Sequence, residues 1–162
     1  MEKKNGKGKK YSILDGKLEY EGEYKNDNKE GYGIYYFTNG DKYEGEFKND
    51  NMEGYGTNYF TNGDRYEGEF KNDISEGYGI IYFSNGDRYE GTFKDGIFDG
   101  FGIFYSSLGF QYKGYFQNVF STRILVSIYK ILLFLNYLYS KIMKNKMILF
   151  LIIILIFGIL IN

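Results

Sequence analysis

From Tyr20 the chain alternates aromatic or glycine residues with acidic ones, Tyr-Glu-Gly-Glu-Tyr, and then crosses a polar stretch, Lys-Asn-Asp-Asn-Lys-Glu. A second apolar run beginning Gly-Tyr-Gly follows and stops at Thr-Asn-Gly-Asp. Alternation with period 2 is the mark of a strand with one face turned away from water. The cycle restarts at Tyr43, Tyr66 and Tyr89, and begins again at Tyr112 before fading after Phe116; each start lies 23 residues from the last. Self-similarity at a fixed period decides the architecture before any side-chain chemistry does. The stretch Tyr43–Arg65, YEGEFKNDNMEGYGTNYFTNGDR, is the clearest copy.

Each copy reads as a β-hairpin. Asn62-Gly63 lies between two aromatic-rich runs, and Asn-Gly is the favoured pair for a two-residue type I′ turn, in which both residues take φ > 0. That turn predicts Tyr59 opposite Tyr66, Thr57 opposite Gly68 and Tyr55 opposite Phe70. One face of the sheet then carries four aromatics per copy: Tyr20, Tyr24, Tyr32 and Tyr36; Tyr43, Phe47, Tyr55 and Tyr59; Tyr66, Phe70, Tyr78 and Tyr82; Tyr89, Phe93, Phe101 and Tyr105. The other face carries glutamate pairs such as Glu44 and Glu46. Glycine weakens a strand interior, so Gly22, Gly45, Gly68 and Gly91 are expected to make room for rings. Further glycines recur as pairs, Gly31 and Gly33, Gly54 and Gly56, Gly77 and Gly79, and Gly100 and Gly102. In the fourth copy Leu108-Gly109 replaces Asn-Gly, and a Leu at φ > 0 would be unfavourable.

The motif YEGEF-(x6)-GYG-(x6)-NGD, repeated in register over Tyr20 to Phe116, resembles the MORN (membrane occupation and recognition nexus) repeat family, whose copies are 23-residue β-hairpins. The resemblance implies a mainly β protein: a single-layer, elongated antiparallel meander used as a scaffold near membranes or the cytoskeleton. MORN arrays also precede the catalytic domains of some phosphatidylinositol phosphate kinases and SET-type methyltransferases. A second reading is therefore a fragment or relative of such an enzyme lacking its catalytic domain.

The flanks differ from the array. Residues 1–19 begin with MEKKNGKGKK, a basic arm read as a solvated terminus, and Gly6 to Leu18 is a candidate half-repeat that pairs with the strand at Tyr20. Beyond Phe116 the period is lost. In 117–146, Arg123, Ser127, Lys130, Tyr137, Lys141 and Lys144 follow helical spacing among apolar residues, which reads as an amphipathic basic helix. A rival reading folds this segment back over the aromatic face. Residues 147–161, MILFLIIILIFGILI, are 15 consecutive apolar residues. As a helix they reach about 22 Å, short of a hydrocarbon core of roughly 30 Å unless the flanks snorkel. They read as a short transmembrane tail anchor, with Lys141, Lys144 and Lys146 on its N-terminal side. The positive-inside rule then places the array in the cytosol. The same loss of period also fits a translated noncoding or frame-shifted end, that is, a gene-model artefact.

Charge sharpens the division. Residues 1–117 hold 15 basic and 21 acidic side chains, whereas 118–162 hold 5 basic and none acidic. The array proper, 20–116, has 9 basic against 18 acidic, which repels nucleic acid and anionic lipid alike. The chain has no Cys and no His, so thiolate metal sites, Cys nucleophiles and His general bases are excluded. The Glu44/Glu46 pair imitates a glycosidase carboxylate pair, but it recurs at Glu21/Glu23 and Glu67/Glu69 and reads as a solvated strand face. The loops KNDNKEG (Lys25 to Gly31) and KNDNMEG (Lys48 to Gly54) offer oxygen ligands without the alternating spacing of an EF-hand, and read as turn chemistry. No catalytic or metal residues and no cofactor are assigned. The expected protein is a non-enzymatic, single-pass membrane scaffold. Its expected partners are the membrane, a cytosolic or cytoskeletal protein bound through the sheet, and a second copy of the chain as a homodimer.

Overall fold

The computed structural model describes residues 3–119 together with 137 and 139–141. The first unit is one antiparallel sheet of ten strands in sequence order: β1 (Gly6–Tyr11), β2 (Leu18–Lys25), β3 (Asn28–Tyr36), β4 (Lys42–Lys48), β5 (Asn51–Tyr59), β6 (Arg65–Lys71), β7 (Ile74–Tyr82), β8 (Arg88–Lys94), β9 (Ile97–Tyr105) and β10 (Gln111–Val119). At about 4.8 Å per strand, the sheet extends roughly 43 Å across its strands. The candidate half-repeat is real: β1 pairs with β2, Gly8 opposite Gly22, so residues 6–10 are strand and not a loose arm. The array also runs past Phe116, since 117–119 belong to β10 and not to a helix.

Two kinds of connection alternate, and their assignment differs from the sequence expectation. The two-residue type I′ turn sits at the other loop. Asn49 and Asp50 both take positive φ (48° and 71°), as do Asn26-Asp27 and Asn72-Asp73. Asn and Asp tolerate this region better than other side-chain-bearing residues, and the turn brings Lys48 opposite Asn51. At Asn62-Gly63 only the glycine is left-handed (φ 88°). Gly63 N–H donates to Phe60 C=O (2.9 Å) and Phe60 N–H to Asp64 C=O (3.0 Å), a three-residue loop built on a type I turn closed by a glycine bulge.

That one extra loop residue shifts the register by one. Tyr59 faces Arg65, Thr57 faces Glu67, Gly56 faces Gly68 and Asn58 faces Tyr66. Side chains alternate across a strand, so the shift moves the aromatics of the second strand of every hairpin to the opposite face. The Leu108 objection also falls. Leu108 occupies a position with ordinary φ, Gly109 alone is left-handed (φ 86°), and the loop closes with the same pair of hydrogen bonds.

In the second unit, Tyr137, Tyr139, Ser140 and Lys141 are helical and exposed. The rest of the expected 120–146 helix, the 147–161 anchor, and Lys144 and Lys146 lie outside the described residues. Among the described residues, no helix is long and apolar enough to cross a membrane.

Candidate functional site: two unlike faces of the sheet

The register sorts side chains into a ring face and an acidic face. The ring face holds Tyr20, Tyr24, Tyr43, Phe47, Tyr66, Phe70, Tyr89 and Phe93, all buried. They pack on one another edge to face: Tyr24–Tyr20 at 5.2 Å, Tyr20–Phe47 at 5.1 Å, Phe47–Tyr43 at 5.2 Å and Tyr43–Phe70 at 4.9 Å. The zigzag continues through Tyr66, Phe93 and Tyr89 to Phe116 and Tyr112. Edge-to-face geometry suits ring quadrupoles, and the contacts run from ring to ring along the sheet.

The rings lie over glycine. Gly8, Gly22, Gly33, Gly45, Gly56, Gly68, Gly79, Gly91, Gly102 and Gly114 are successive cross-strand partners, one row running the length of the sheet. A Cβ at Gly56 would sit 2.5 Å from the ring of Tyr43. The expectation that glycines make room for rings therefore holds for Gly22, Gly45, Gly68 and Gly91, and extends to Gly33, Gly56, Gly79 and Gly102. Gly31, Gly54, Gly77 and Gly100 do something else. Each takes positive φ where the chain bulges, and at Gly54 a Cβ would meet the Glu46 carboxylate at 2.7 Å.

The first tyrosine of each copy is anchored by its hydroxyl. Tyr43 Oη donates to Glu46 C=O and Tyr66 Oη to Glu69 C=O, each at 3.0 Å, with Tyr20 and Tyr89 bonding Glu23 and Thr92 C=O alike. Burial pushes the phenols of Tyr20 and Tyr89 up to about 12, and those of Tyr43 and Tyr66 further still. The ring face also holds residues that the expected register had placed elsewhere: Tyr35, Asn58, Ile81 and Phe104. Lys29, Met52, Ser75 and Phe98 occupy one repeated position beside the rings. Lys29 Nζ lies 4.4 Å from the Tyr35 ring centre and 5.3 Å from that of Phe47, and desolvation there lowers its pKa.

The other eight expected ring-face residues are on the acidic face. Tyr36, Tyr59, Tyr82 and Tyr105 are half-buried. Lys42 lies over Tyr59 (4.2 Å), Arg65 over Tyr82 (4.5 Å) and Arg88 over Tyr105 (4.2 Å). The same cations pair with Glu44, Glu67 and Glu90 at 3.1–3.3 Å. Tyr32, Tyr55, Tyr78 and Phe101 are exposed at 54, 57, 48 and 48 %. Glu44 accepts from Tyr32 Oη (3.0 Å), and Glu46 accepts from Tyr55 N–H (3.3 Å). The two carboxylates of the pair thus have separate structural partners.

The loop acids tie neighbouring copies together. Asp50 accepts from Lys29 N–H and Asp73 from Met52 N–H, both at 2.8 Å. At the opposite edge Asp41, Asp64 and Asp87 accept from Thr61, Ser84 and Ser107 N–H, again at 2.8 Å. The bond from Thr61 holds Asp41 below the usual carboxylate range. Among the described residues, no group of three or more acidic side chains is placed to hold a metal. Replacing Asp64 by Ala removes the acceptor for Ser84 and for the Asn62 amide (2.8 Å). The urea midpoint should fall by the equivalent of about 1–2 kcal/mol, and Asp64→Asn, which keeps an acceptor oxygen, should lose less. Equal losses would mean that charge and not hydrogen bonding makes the tie.

A family model described as MORN repeat matches residues 20–42, 43–65, 66–88 and 89–107, the four hairpins built by β2 to β9. No curated protein matches the chain.

Proposed function

The chain belongs to the MORN repeat family, and on that premise we propose that it is a non-enzymatic scaffold, held at a membrane by residues 147–161, that presents the sheet to a cytosolic protein. The carrying observation is the acidic face. It keeps aromatic side chains about half exposed in four successive copies, although every copy has a buried ring face available to it. Exposed aromatics recurring on a rigid framework are what a protein interface draws upon. Both edges are tied by backbone-accepting carboxylates, so the acids of the loops serve the fold and leave the faces for recognition. Membrane attachment is supported by sequence alone: 15 apolar residues beside Lys141, Lys144 and Lys146, set against an array with twice as many acidic as basic residues.

The test is carbonate extraction of the full chain from cells. The unmodified protein should stay with the membrane pellet. Replacing Ile153 and Ile154 by Lys should release it, because each central Lys opposes insertion by about 2.5–3.5 kcal/mol. Release of the unmodified protein would end the anchor proposal, and retention of the double-Lys variant would assign attachment to another segment.

A further inference from the structure

One row of the acidic face reads Glu23, Tyr32, Glu46, Tyr55, Glu69, Tyr78, with consecutive members on consecutive strands β2 to β7. Its tyrosines are about half exposed. Its glutamates differ from those of the adjacent row. Glu44, Glu67 and Glu90 are neutralised by Lys42, Arg65 and Arg88. Glu23, Glu46 and Glu69 have no ion-pair partner among the described residues. Glu46 and Glu69 each accept one backbone N–H on Oε1, from Tyr55 and Tyr78, which fixes the carboxylate beside the ring and leaves Oε2 without a donor among the described residues. At the β1–β3 end the row opens into a hollow of about 570 Å³ lined by Lys7, Lys9, Glu21, Glu23, Tyr32 and Ile34.

We propose that this row is a docking track for an extended, cationic protein segment carrying Lys or Arg at every third residue in polyproline II conformation. The inference rests on the reading that the sheet takes a protein partner, and names that partner's chemistry. The charge argument is local: an unpaired carboxylate fixed against an exposed aromatic ring attracts a cation both by Coulomb force and by the ring quadrupole. The geometric argument is the pitch. Tyrosines recur every second strand, about 9.6 Å apart. A polyproline II helix returns to the same face every three residues, about 9.3 Å. A β-strand repeats its face at about 6.8 Å, and a helix that repeats every seven residues advances about 10.5 Å and slips along the row. Only the first matches copy for copy.

The experiment uses the full chain and a peptide of repeated Arg-Pro-Pro triplets, with a control in which the same number of Arg alternates with single Pro. Titration at physiological ionic strength should show saturable binding of the triplet peptide and about fivefold weaker binding of the control. Tyr55→Leu with Tyr78→Leu should weaken binding about tenfold, the product of two lost cation–ring contacts. Glu46→Gln with Glu69→Gln keeps the acceptor for Tyr55 and Tyr78 N–H, and should weaken binding while flattening its salt dependence. Equal affinity for the two peptides, indifference to both double variants, or no binding of the triplet peptide would each overturn the proposal. A photo-crosslinker at Tyr55 in cells separates the two levels. If the triplet peptide fails but the crosslinker captures a protein, the scaffold reading stands and the cationic track falls; if both fail, both fall.

Discussion

Replacing Gly68 by Val is expected to lower the stability of the array by about 3 kcal/mol, at the upper end of overpacking costs. A Cβ there would lie 2.5 Å from Tyr66 Oη and 2.6 Å from Gly79 Cα. The tyrosine cannot swing aside, because its hydroxyl is bonded to Glu69 C=O and its ring is wedged against Phe70 and Phe93. Gly79 cannot retreat either, since it is backbone within the β6–β7 ladder. Glu67, one residue away on the acidic face, is the matched control. Its partner Arg65 lies at 3.1 Å with both side chains partly exposed, a pair worth roughly 0–1 kcal/mol. Melts of the full chain followed by circular dichroism should therefore separate Gly68→Val clearly from Glu67→Ala. Equal shifts would mean that the glycine row does not seat the rings.

Raising the pH should unfold the array over a window set by its own tyrosines. Burial raises the phenol pKa of Tyr20 and Tyr89 from 10 to about 12. A group whose folded-state pKa lies above its unfolded value contributes stability that is complete below the unfolded pKa and is lost as pH rises toward the folded one. The window here runs from about pH 10 to about pH 12. Each of these phenols forfeits on the order of 2–3 kcal/mol across it, taking about 1.4 kcal/mol per unit. The Lys9–Glu21 and Lys10–Glu19 pairs weaken in the same direction, because both lysines are raised by their glutamate partners. The discriminating readout is phenolate absorbance followed beside circular dichroism. A set of tyrosines should ionise only as the strand signal disappears. Smooth ionisation of every tyrosine with the sheet intact would contradict the buried hydroxyl geometry.

The period, the strands and half of the ring face were legible in the sequence. Alternation around Gly45 is enough to separate Tyr43 and Phe47 from Glu44 and Glu46. The second strand of each hairpin was not, because its facing depends on one loop residue. Asn62-Gly63 satisfies the rule for a type I′ turn, yet the chain uses a longer loop there and spends its type I′ geometry on Asn49-Asp50. A signal was present: Leu108 in the position of Asn62 shows that this site does not require φ > 0. The hydrogen bonds between copies were illegible for another reason. Asp64 reaches Ser84, 20 residues on, and no local propensity reports a contact at that separation. Only the recurrence of Asp at fixed positions hints at it.

That recurrence stops in the last copy. The places held by Asp73 and Asp87 are taken by Gly96 and Phe110. Read as a polymer, the array has a grammar of succession: each interior hairpin offers one aspartate carboxylate to the hairpin before it and one to the hairpin after it. A hairpin duplicated between the second and third copies would find both halves of that exchange waiting, and the chain could lengthen there without new invention. The fourth hairpin lacks both: Gly96 holds no carboxylate for the third hairpin, and Phe110 holds none for the strand that follows. Succession therefore slackens at its last joint: Asp87 to Ser107 is a single aspartate tie there, where the two earlier joints each have a pair.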